Sequence, residues 1–278
     1  SILVSDGKGV SMFSPIIAAD NIKDEFIGYI STLFHISDKD YAEQFAAALR
    51  EKGAVVKGPY LDVSDSYKTG KSLAQMIEEG EASSLFHSLE GDIPDGEKEI
   101  QVNRGLYLHQ ERALRKTNKG KNLIVTTGSG KTECFIIPII NHLLREAEEG
   151  TLSSGVRAIL IYPMNALAND QMKRLRNLLK SYPEITFGVY NSSTKQNEQD
   201  GIAEYGKVYK DANGHPLKPL KNEIVSRDQM QKTPPHILVT NYAMLEYMML
   251  RPKDDLVFSR AKLRFLVLDE AHIYRGAT

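Results

Sequence analysis

Two short groups of residues have the types and spacing that phosphate chemistry requires. The first group is a run of six: Thr127, Gly128, Ser129, Gly130, Lys131 and Thr132. Glycines let backbone N–H groups wrap a triphosphate, a lysine reaches the β- and γ-phosphates, and a threonine hydroxyl ligates Mg²⁺. The sequence therefore predicts a phosphate-binding loop for a triphosphate with Mg²⁺. The full eight-residue pattern has glycine where this chain has Val125, so the alternative is a Gly-Ser turn beside a surface lysine.

The second group follows the apolar run 263–268 and begins with Asp269 and Glu270. Acids at the carboxyl end of a parallel strand border the crevice where such sheets bind ligands. If the phosphate loop lies on the same sheet, Asp269 holds Mg²⁺ directly or through water. Glu270 then orients and deprotonates the attacking water. His272 is not part of a metalloprotease site, because the chain has no His-Glu-x-x-His helix.

Both groups need a sheet to position them, and the pattern of apolar runs predicts one. Five short apolar runs are each long enough for a buried strand: 122–126, 157–162, 185–190, 236–240 and 263–268. Most are followed by a helical pattern, which favours an α/β fold with a mostly parallel sheet covered on both faces. The polar stretch 191–235 lacks strong periodicity and is predicted to be an insertion with some structure of its own.

The charge is unevenly distributed along the 278 residues. Residues 1–102 carry a net charge of −9 and residues 103–278 carry +8. With helical patterns dominating the first part, this predicts a mainly helical acidic accessory domain over 1–102 and an α/β domain over 103–278. The basic part is the candidate for binding a polyanion. Simple attraction between the two surfaces is the alternative.

Composition excludes several classes of protein. The single cysteine, Cys134, excludes a disulfide framework and a cysteine-built zinc site in this segment. No apolar run approaches the roughly 20 residues of a membrane helix, and there is no basic-then-apolar leader. The expected compartment is the cytoplasm, with no membrane partner.

The run 127–132 and the run 269–272 resemble motifs I and II of superfamily 2 helicases of the DEAD/DEAH-box kind. The resemblance implies a RecA-like P-loop domain that uses ATP and Mg²⁺, with His272 beside the nucleotide. Residues 106–110 resemble the motif that reads adenine, which implies that Gln110 contacts the base. The resemblance covers about 103–278, with the motifs in order.

Two other strand-to-helix turns, at 162–171 and 239–242, resemble motifs Ia and Ib of the same family. In that family these turns contact the sugar-phosphate backbone of nucleic acid. The residues that the resemblance assigns to this contact are Pro163, Asn165, Asn169, Gln171, Thr240 and Asn241. Lys173, Arg174 and Arg176 follow motif Ia, and a solvated helix face explains them as well as phosphate contacts do.

A narrower resemblance links residues 234–247 and 269–276 to large bacterial helicases with a distal cysteine-rich zinc module. Several of these belong to antiphage defence systems such as Druantia and DISARM. This implies an ATP-dependent DNA helicase or translocase that works with a second RecA-like domain. We expect residues 1–278 alone to hydrolyse ATP barely, since an arginine finger from such a domain is worth about 10³–10⁵ in rate. The alternatives are a restriction-type duplex translocase and a nucleotide-responsive binding module that docks a partner through residues 1–102.

Overall fold

The computed structural model describes residues 3–5, 10–12, 14–51, 53–57, 66–90, 99–126, 130–210 and 213–274. The chain divides into two compact units, Ser1–Ser66 and Tyr67–Thr278. The division does not fall at residue 102, where composition placed it. Leu73, Met76 and Phe86 are fully buried in the core of the second unit, so residues 67–102 belong to that unit physically.

The first unit is mainly helical over its described residues. A short antiparallel pair, β1 (Leu3–Ser5) and β2 (Val10–Met12), precedes α1 (Pro15–Leu33) and α2 (Lys39–Arg50). The Asp38 side chain accepts hydrogen bonds from the backbone N–H groups of Asp40 and Tyr41. Capping of this kind satisfies donors that the first helical turn leaves unpaired, so α2 begins where the sequence indicates.

The second unit is built on a five-stranded parallel sheet, which confirms the predicted α/β class. Its strands are β5 (Ala158–Ile161), β6 (Phe187–Tyr190), β7 (Glu223–Ile224), β8 (Ile237–Thr240) and β9 (Phe265–Leu268). Their order is β7-β6-β8-β5-β9, and every pair is parallel. A separate antiparallel ladder joins β3 (Thr69–Ser72) to β4 (Gly105–Tyr107).

Helices cover both faces of the sheet. They are α3 (Leu73–Glu78), α4 (Phe86–Glu90), α5 (Leu108–Asn118), α6 (Glu133–Glu148), α7 (Asn165–Leu179), α8 (Glu198–Val208), α9 (Arg227–Lys232), α10 (Tyr242–Leu250) and α11 (Asp255–Phe258). Leu160 faces a core shared with α3 to α7, whereas Ile161 faces a smaller core with α9, α10 and α11. This alternation along β5 is the period of two that places successive strand residues on opposite faces.

The strand predicted over residues 122–126 is absent from the described structure. None of these residues pairs with a strand, and the Ile124 side chain is 94% exposed. An apolar run becomes a strand only when a neighbouring strand and a covering layer are available to it. In the described sheet β9 is an edge strand, and residues 122–126 do not pair with it. The prediction of a strand over 122–126 is therefore wrong for this structure.

The predicted insertion at 191–235 has structure, and part of it joins the sheet. It contributes α8, the edge strand β7 and α9. Arg176 reaches from α7 to Glu223 of β7, with nitrogen–oxygen distances of 2.7 to 2.9 Å, and its guanidinium lies 3.8 Å from the centre of the Tyr209 ring. The pair is buried, so Arg176 holds the insertion to the sheet and is not available to a phosphate.

Acidic residues of the segment 67–102 pair with basic residues of the same unit. Arg115 bonds Glu79 at 2.8 Å and Glu81 at 2.9 Å, and Arg174 bonds Glu99 at 3.3 Å. When the charge is counted by compact unit, residues 1–66 carry −4 and residues 67–278 carry +3. Mutual attraction, the alternative explanation of the uneven charge, therefore accounts for part of it.

None of the described helices is long and apolar enough to span a membrane.

Stability should fall between pH 6.5 and pH 4 because of one buried imidazole. Burial, followed by the charge of Arg157, lowers the pKa of His236 to about 4. Its Nδ1 accepts the Thr186 N–H at 2.9 Å, and its Nε2 lies 3.1 Å from the Ser153 carbonyl oxygen. The unfolded chain, with a histidine pKa of about 6.5, takes up this proton first, so the stabilisation present above pH 6.5 is lost as the pH falls. The loss is about 3 kcal/mol at pH 4.

Urea unfolding at pH 7 and pH 4.5 measures this effect. We expect His236→Gln, which keeps a donor and an acceptor at the site, to lose clearly less stability over this interval than the parent chain. Equal losses in the two proteins would show that His236 does not cause the decline.

Candidate functional site

Three parallel strands end at the same edge of the sheet, and the predicted motifs follow them directly. Tyr162 follows β5, Asn241 follows β8 and Asp269 follows β9. Because Ile161 pairs with both Thr240 and Leu268, these three continuations lie side by side. Two of the predicted turns and the carboxylate pair are therefore brought to one edge.

Part of the predicted phosphate loop lies at this edge as the entry to α6. Thr127, Gly128 and Ser129 lie outside the described residues, whereas Gly130, Lys131 and Thr132 are described. Thr132 immediately precedes the first residue of α6, so the positive end of a 16-residue helix is directed at the loop. A phosphate at this position would be stabilised by the helix as well as by the lysine.

Gln110 joins the predicted adenine-reading segment to the phosphate loop. Its Nε2 donates to the Gly130 carbonyl oxygen at 3.1 Å, while its Oε1 accepts the Tyr107 N–H at 2.9 Å. Gly130 has a φ of +71°, and a Cβ added there would lie 2.5 Å from the Gln110 amide nitrogen. The positive φ favours glycine here, and a larger residue would also displace the Gln110 amide from its bond to the Gly130 carbonyl.

A chain of polar side chains links the two motifs. Lys131 Nζ lies 4.0 Å from Glu270 Oε1, and His272 Nδ1 lies 3.2 Å from Glu270 Oε2. Glu270 is the non-glycine residue with positive φ (+48°) in the described part of the chain, and a strained backbone of this kind persists where the surroundings impose it. The structure thus places Lys131, Glu270 and His272 together.

Asp269 continues β9 by one residue. Its backbone N–H donates to the Ile161 carbonyl at 3.0 Å, and its Oδ1 accepts the Glu270 N–H at 3.1 Å. The second carboxylate oxygen has no described hydrogen bond, so it is available as a ligand. With the Thr132 hydroxyl, which makes no capping bond, the donors are oxygens of the kind Mg²⁺ prefers. The residues present therefore fit Mg²⁺ and a nucleotide.

A cavity of about 230 Å³ lies beside Gln110 and Gly130. Its lining also includes Arg104, Tyr107 and Glu133. The cavity is next to the loop that would hold the phosphates, which is where a base attached to those phosphates would have to lie. The glutamine predicted to read the base is thus at the cavity wall.

Cys134 has no reactive character despite its position near a helix N-terminus. It is buried, and its Sγ lies 3.6 Å from the Gly130 carbonyl oxygen. Burial, with a smaller contribution from the charge of Glu133, raises the pKa of the thiol to about 11. The thiolate that redox chemistry needs is therefore disfavoured.

The two turns assigned to nucleic acid meet at the sheet edge. Asn241 Nδ2 donates to Asn165 Oδ1 at 3.2 Å, and Asn165 is exposed. Pro163 and Asn169 are half-buried. Thr240 is 1% exposed and its hydroxyl donates to the Tyr190 carbonyl at 2.7 Å, which is a structural role.

Some of the other residues of motif Ia and of the helix that follows it make contacts inside the protein, and others are exposed. The Gln171 side chain places its Oε1 in the interior without a described partner. Arg174 bonds Glu133 at 2.6 Å and thereby ties α7 to the start of α6. Lys173 is 60% exposed and pairs with Asp170 at 3.4 Å. The motif alone could not predict the structural role of Arg174, because that role depends on Glu133, which lies 41 residues earlier in the chain.

The comparison with protein families decides what this arrangement belongs to. The model described as DEAD/DEAH box helicase matches residues 107–277, which include both motif groups and Gln110. The chain belongs to this family. The helicase resemblance identified from the motifs is thereby confirmed, and so is the nucleotide-binding α/β fold that it implies.

Curated relatives of the chain include ATP-dependent helicases and a Druantia protein. Druantia protein DruE of Escherichia coli (strain UMEA 4076-1) is 29% identical over 335 residues, covering 90% of this chain and 18% of that protein. The ATP-dependent helicase Lhr-Core of Methanothermobacter thermautotrophicus is 30% identical over 168 residues, covering 59% of this chain and 17% of that protein. The chain thus spans less than a fifth of the length of either relative.

A solved structure of the DUF1998 helicase MrfA bound to DNA also matches. It aligns with a TM-score of 0.47 and 24% identity, covering 76% of this chain and 24% of that one.

Proposed function

We propose that this chain carries the ATP-binding half-site of a DNA helicase or translocase. The observation that carries the proposal is that Lys131, Glu270 and the Asn165–Asn241 pair lie along one edge of one sheet. In a motor, ATP hydrolysis must drive movement along a nucleic-acid strand. Adjacent turns that bind the nucleotide and the nucleic acid meet this requirement. Membership of the DEAD/DEAH box helicase family supports the same assignment.

The hydrolytic step follows from the side chains at the edge. Water forms a bond to the γ-phosphorus while the bond to the β–γ bridging oxygen breaks, giving ADP and inorganic phosphate. Glu270 orients the water and accepts its proton, and Lys131 stabilises the charge on the phosphate oxygens. Thr132 and Asp269 would hold Mg²⁺, which neutralises phosphate charge when bound. Lys131 Nζ and Glu270 Oε1 lie 4.0 Å apart, so both groups border the same space.

The strand-binding part of the proposal rests on phosphate contacts that carry no sequence information. Asn165 and Asn241 offer amide groups at the edge, and Pro163 shapes the first turn. Asn169, Gln171 and Thr240 act from behind these residues by holding the turns in place, since their side chains are partly or fully buried. DNA is the proposed strand, and matched RNA is the comparison that tests the choice.

Asn165→Asp tests strand contact directly. The substitution keeps the oxygen that accepts the Asn241 bond but adds a negative charge where a phosphate is proposed to lie. At about 1 kcal/mol or more for one like-charge contact, we expect the affinity for fluorescent single-stranded DNA to fall about tenfold, with unchanged thermal stability. Asn21→Asp, at an exposed position of α1, is the control because it changes the net charge equally. Equal weakening by both variants, or none by Asn165→Asp, would contradict the contact.

The longer relatives bear on the remaining parts of the proposal. We propose that a second RecA-like domain closes over the nucleotide. We also propose that the motor serves defence against phage, because the motifs resemble those of antiphage helicases and the chain is 29% identical to a Druantia protein. The first unit is proposed to dock a partner protein, since Ile22, Phe26 and Leu33 expose an apolar stripe on α1. Deletion of 1–66, rather than of 1–102, tests this without cutting the core of the second unit. Loss of the partner with ATP hydrolysis retained supports docking, and loss of DNA affinity contradicts it.

A further inference from the structure

Tyr162 has a buried hydroxyl that the arrangement described so far leaves unused. The residue is 0% exposed, and its hydroxyl oxygen has no hydrogen-bond partner among the described residues. It follows β5 directly and precedes Pro163, the first residue of the turn that carries Asn165. A buried hydroxyl without a partner is unfavourable, so this one calls for an acceptor that another state of the protein supplies.

The backbone register places Tyr162 next to Asp269. Ile161 pairs with Leu268, the Tyr162 N–H donates to the Thr240 carbonyl at 3.0 Å, and the Asp269 N–H donates to the Ile161 carbonyl at 3.0 Å. Tyr162 is therefore opposite Asp269 on neighbouring strands. Both residues continue the alternation that puts Leu160 and Val267 on the α6 side of the sheet, which is the side of the phosphate loop.

Electrostatics agrees with this placement. Burial raises the pKa of Tyr162, the charge of Asp269 raises it further, and the charge of Arg174 opposes the rise. Arg174 bonds Glu133, the first residue of α6, at 2.6 Å. The charges of Asp269 and Arg174 thus both act on the hydroxyl, and Arg174 is itself paired with the first residue of the phosphate-loop helix.

We infer that Tyr162 is a positioning residue of the nucleotide site, whose hydroxyl donates a hydrogen bond to the Asp269 carboxylate when Mg²⁺ and nucleotide are bound. The inference rests on the proposed function. In the structure Asp269 Oδ1 accepts the Glu270 N–H. A carboxylate that rotates to hold Mg²⁺ would bring one of its oxygens within reach of the Tyr162 hydroxyl. Because Pro163 is the next residue, the same hydrogen bond would connect the nucleotide site to the turn that carries Asn165.

Tyr162→Phe tests the inference, and Tyr190→Phe is its matched control. Tyr190 is also fully buried at the end of a strand of the sheet, but its hydroxyl donates to Asp254 Oδ1 at 2.6 Å. Without nucleotide, Tyr162→Phe loses no hydrogen bond and should melt at the same temperature as the parent chain or higher. Tyr190→Phe removes one of the hydrogen bonds to a buried carboxylate, which keeps Gln231 and Arg251 as partners, and should melt lower.

The decisive readout is the affinity for ADP, titrated with Mg²⁺ and again in excess EDTA. We expect Tyr162→Phe to bind Mg²⁺–ADP about tenfold more weakly than the parent and to match it in EDTA, while Tyr190→Phe matches it in both. Parental affinity of Tyr162→Phe for Mg²⁺–ADP would overturn the inference. So would equal weakening in EDTA, or a lower melting temperature without nucleotide. If the parent chain itself failed to bind Mg²⁺–ADP, the proposed function would fail as well, which separates the two outcomes.

Discussion

Lys131→Ala is expected to abolish measurable binding of ATP while leaving the fold intact. The ammonium group is the one described cation at the entry to α6 that faces Glu270 across 4.0 Å, and its removal deletes charge-assisted hydrogen bonds to two phosphates. Each such bond is worth about 1.5–3 kcal/mol, so affinity should fall by at least about a hundredfold. Titration with a fluorescent ATP analogue measures the loss.

The fold should tolerate this change because the side chain is 38% exposed and its ion pair is long. Exposed pairs contribute little to stability, so the melting temperature without nucleotide should not move. Lys121→Ala is the matched control, since it removes an exposed lysine ten residues earlier in the chain. If Lys131→Ala bound the analogue as tightly as Lys121→Ala does, the phosphate-loop assignment would be wrong.

Glu270→Gln should separate binding from hydrolysis. The amide keeps the size of the side chain and can still hydrogen-bond to water, but it cannot accept a proton at neutral pH. General-base catalysis contributes about 10²–10⁴ in rate, so hydrolysis by a longer protein that includes the second motor domain should fall by that factor. Affinity for ATP should be retained or increased, because a negative charge beside the γ-phosphate is removed.

Single-turnover hydrolysis of radiolabelled ATP gives the rate of the chemical step, and a filter-binding titration gives the affinity. Glu246→Gln makes the same isosteric change at an exposed position of α10 and should behave as the parent. Unchanged hydrolysis in Glu270→Gln would mean that another residue is the general base. A parallel loss of binding would instead indicate that Glu270 acts by holding Lys131 and His272.

Short sequence patterns were sufficient to predict features that depend only on neighbouring residues, such as helix caps. Asp38 is of a residue type that commonly caps helices and it caps α2, and Ser72 forms a reciprocal capping box with Gln75 at the start of α3. That second cap also explains why Gly70-Lys71-Ser72, which ends like a phosphate loop, is not one. The Lys71 N–H donates to the Glu111 carboxylate at 2.9 Å. The carboxylate therefore occupies the place that a bound phosphate would need.

The sequence was insufficient where the outcome depends on partners far along the chain. Residues 122–126 have the composition of a strand but lack a paired neighbour in the described structure. The charge predicted a separate acidic domain over 1–102, yet apolar residues and glutamates of its last part, 67–102, pack against the helicase core. Arg176 resembles a phosphate ligand until Glu223, 47 residues later, is seen beside it.

The candidate site divides in the same way. Residue type and spacing were enough to propose Lys131, Asp269 and Glu270, because few other combinations can hold a triphosphate and a metal. The bond between Asn165 and Asn241 and the buried hydroxyl of Tyr162 could not be predicted, because both depend on which strands become neighbours. Strand order β8-β5-β9 is what brings these residues to one edge.

The central claim is that one sheet edge couples ATP hydrolysis to a nucleic-acid strand. The most direct test is the steady-state rate of ATP hydrolysis by the longer protein, measured with and without single-stranded DNA, in the parent and in Asn165→Asp. We predict that DNA raises the parental rate severalfold and that Asn165→Asp needs about tenfold more DNA for the same stimulation. A rate that is the same with and without DNA or RNA would contradict the account.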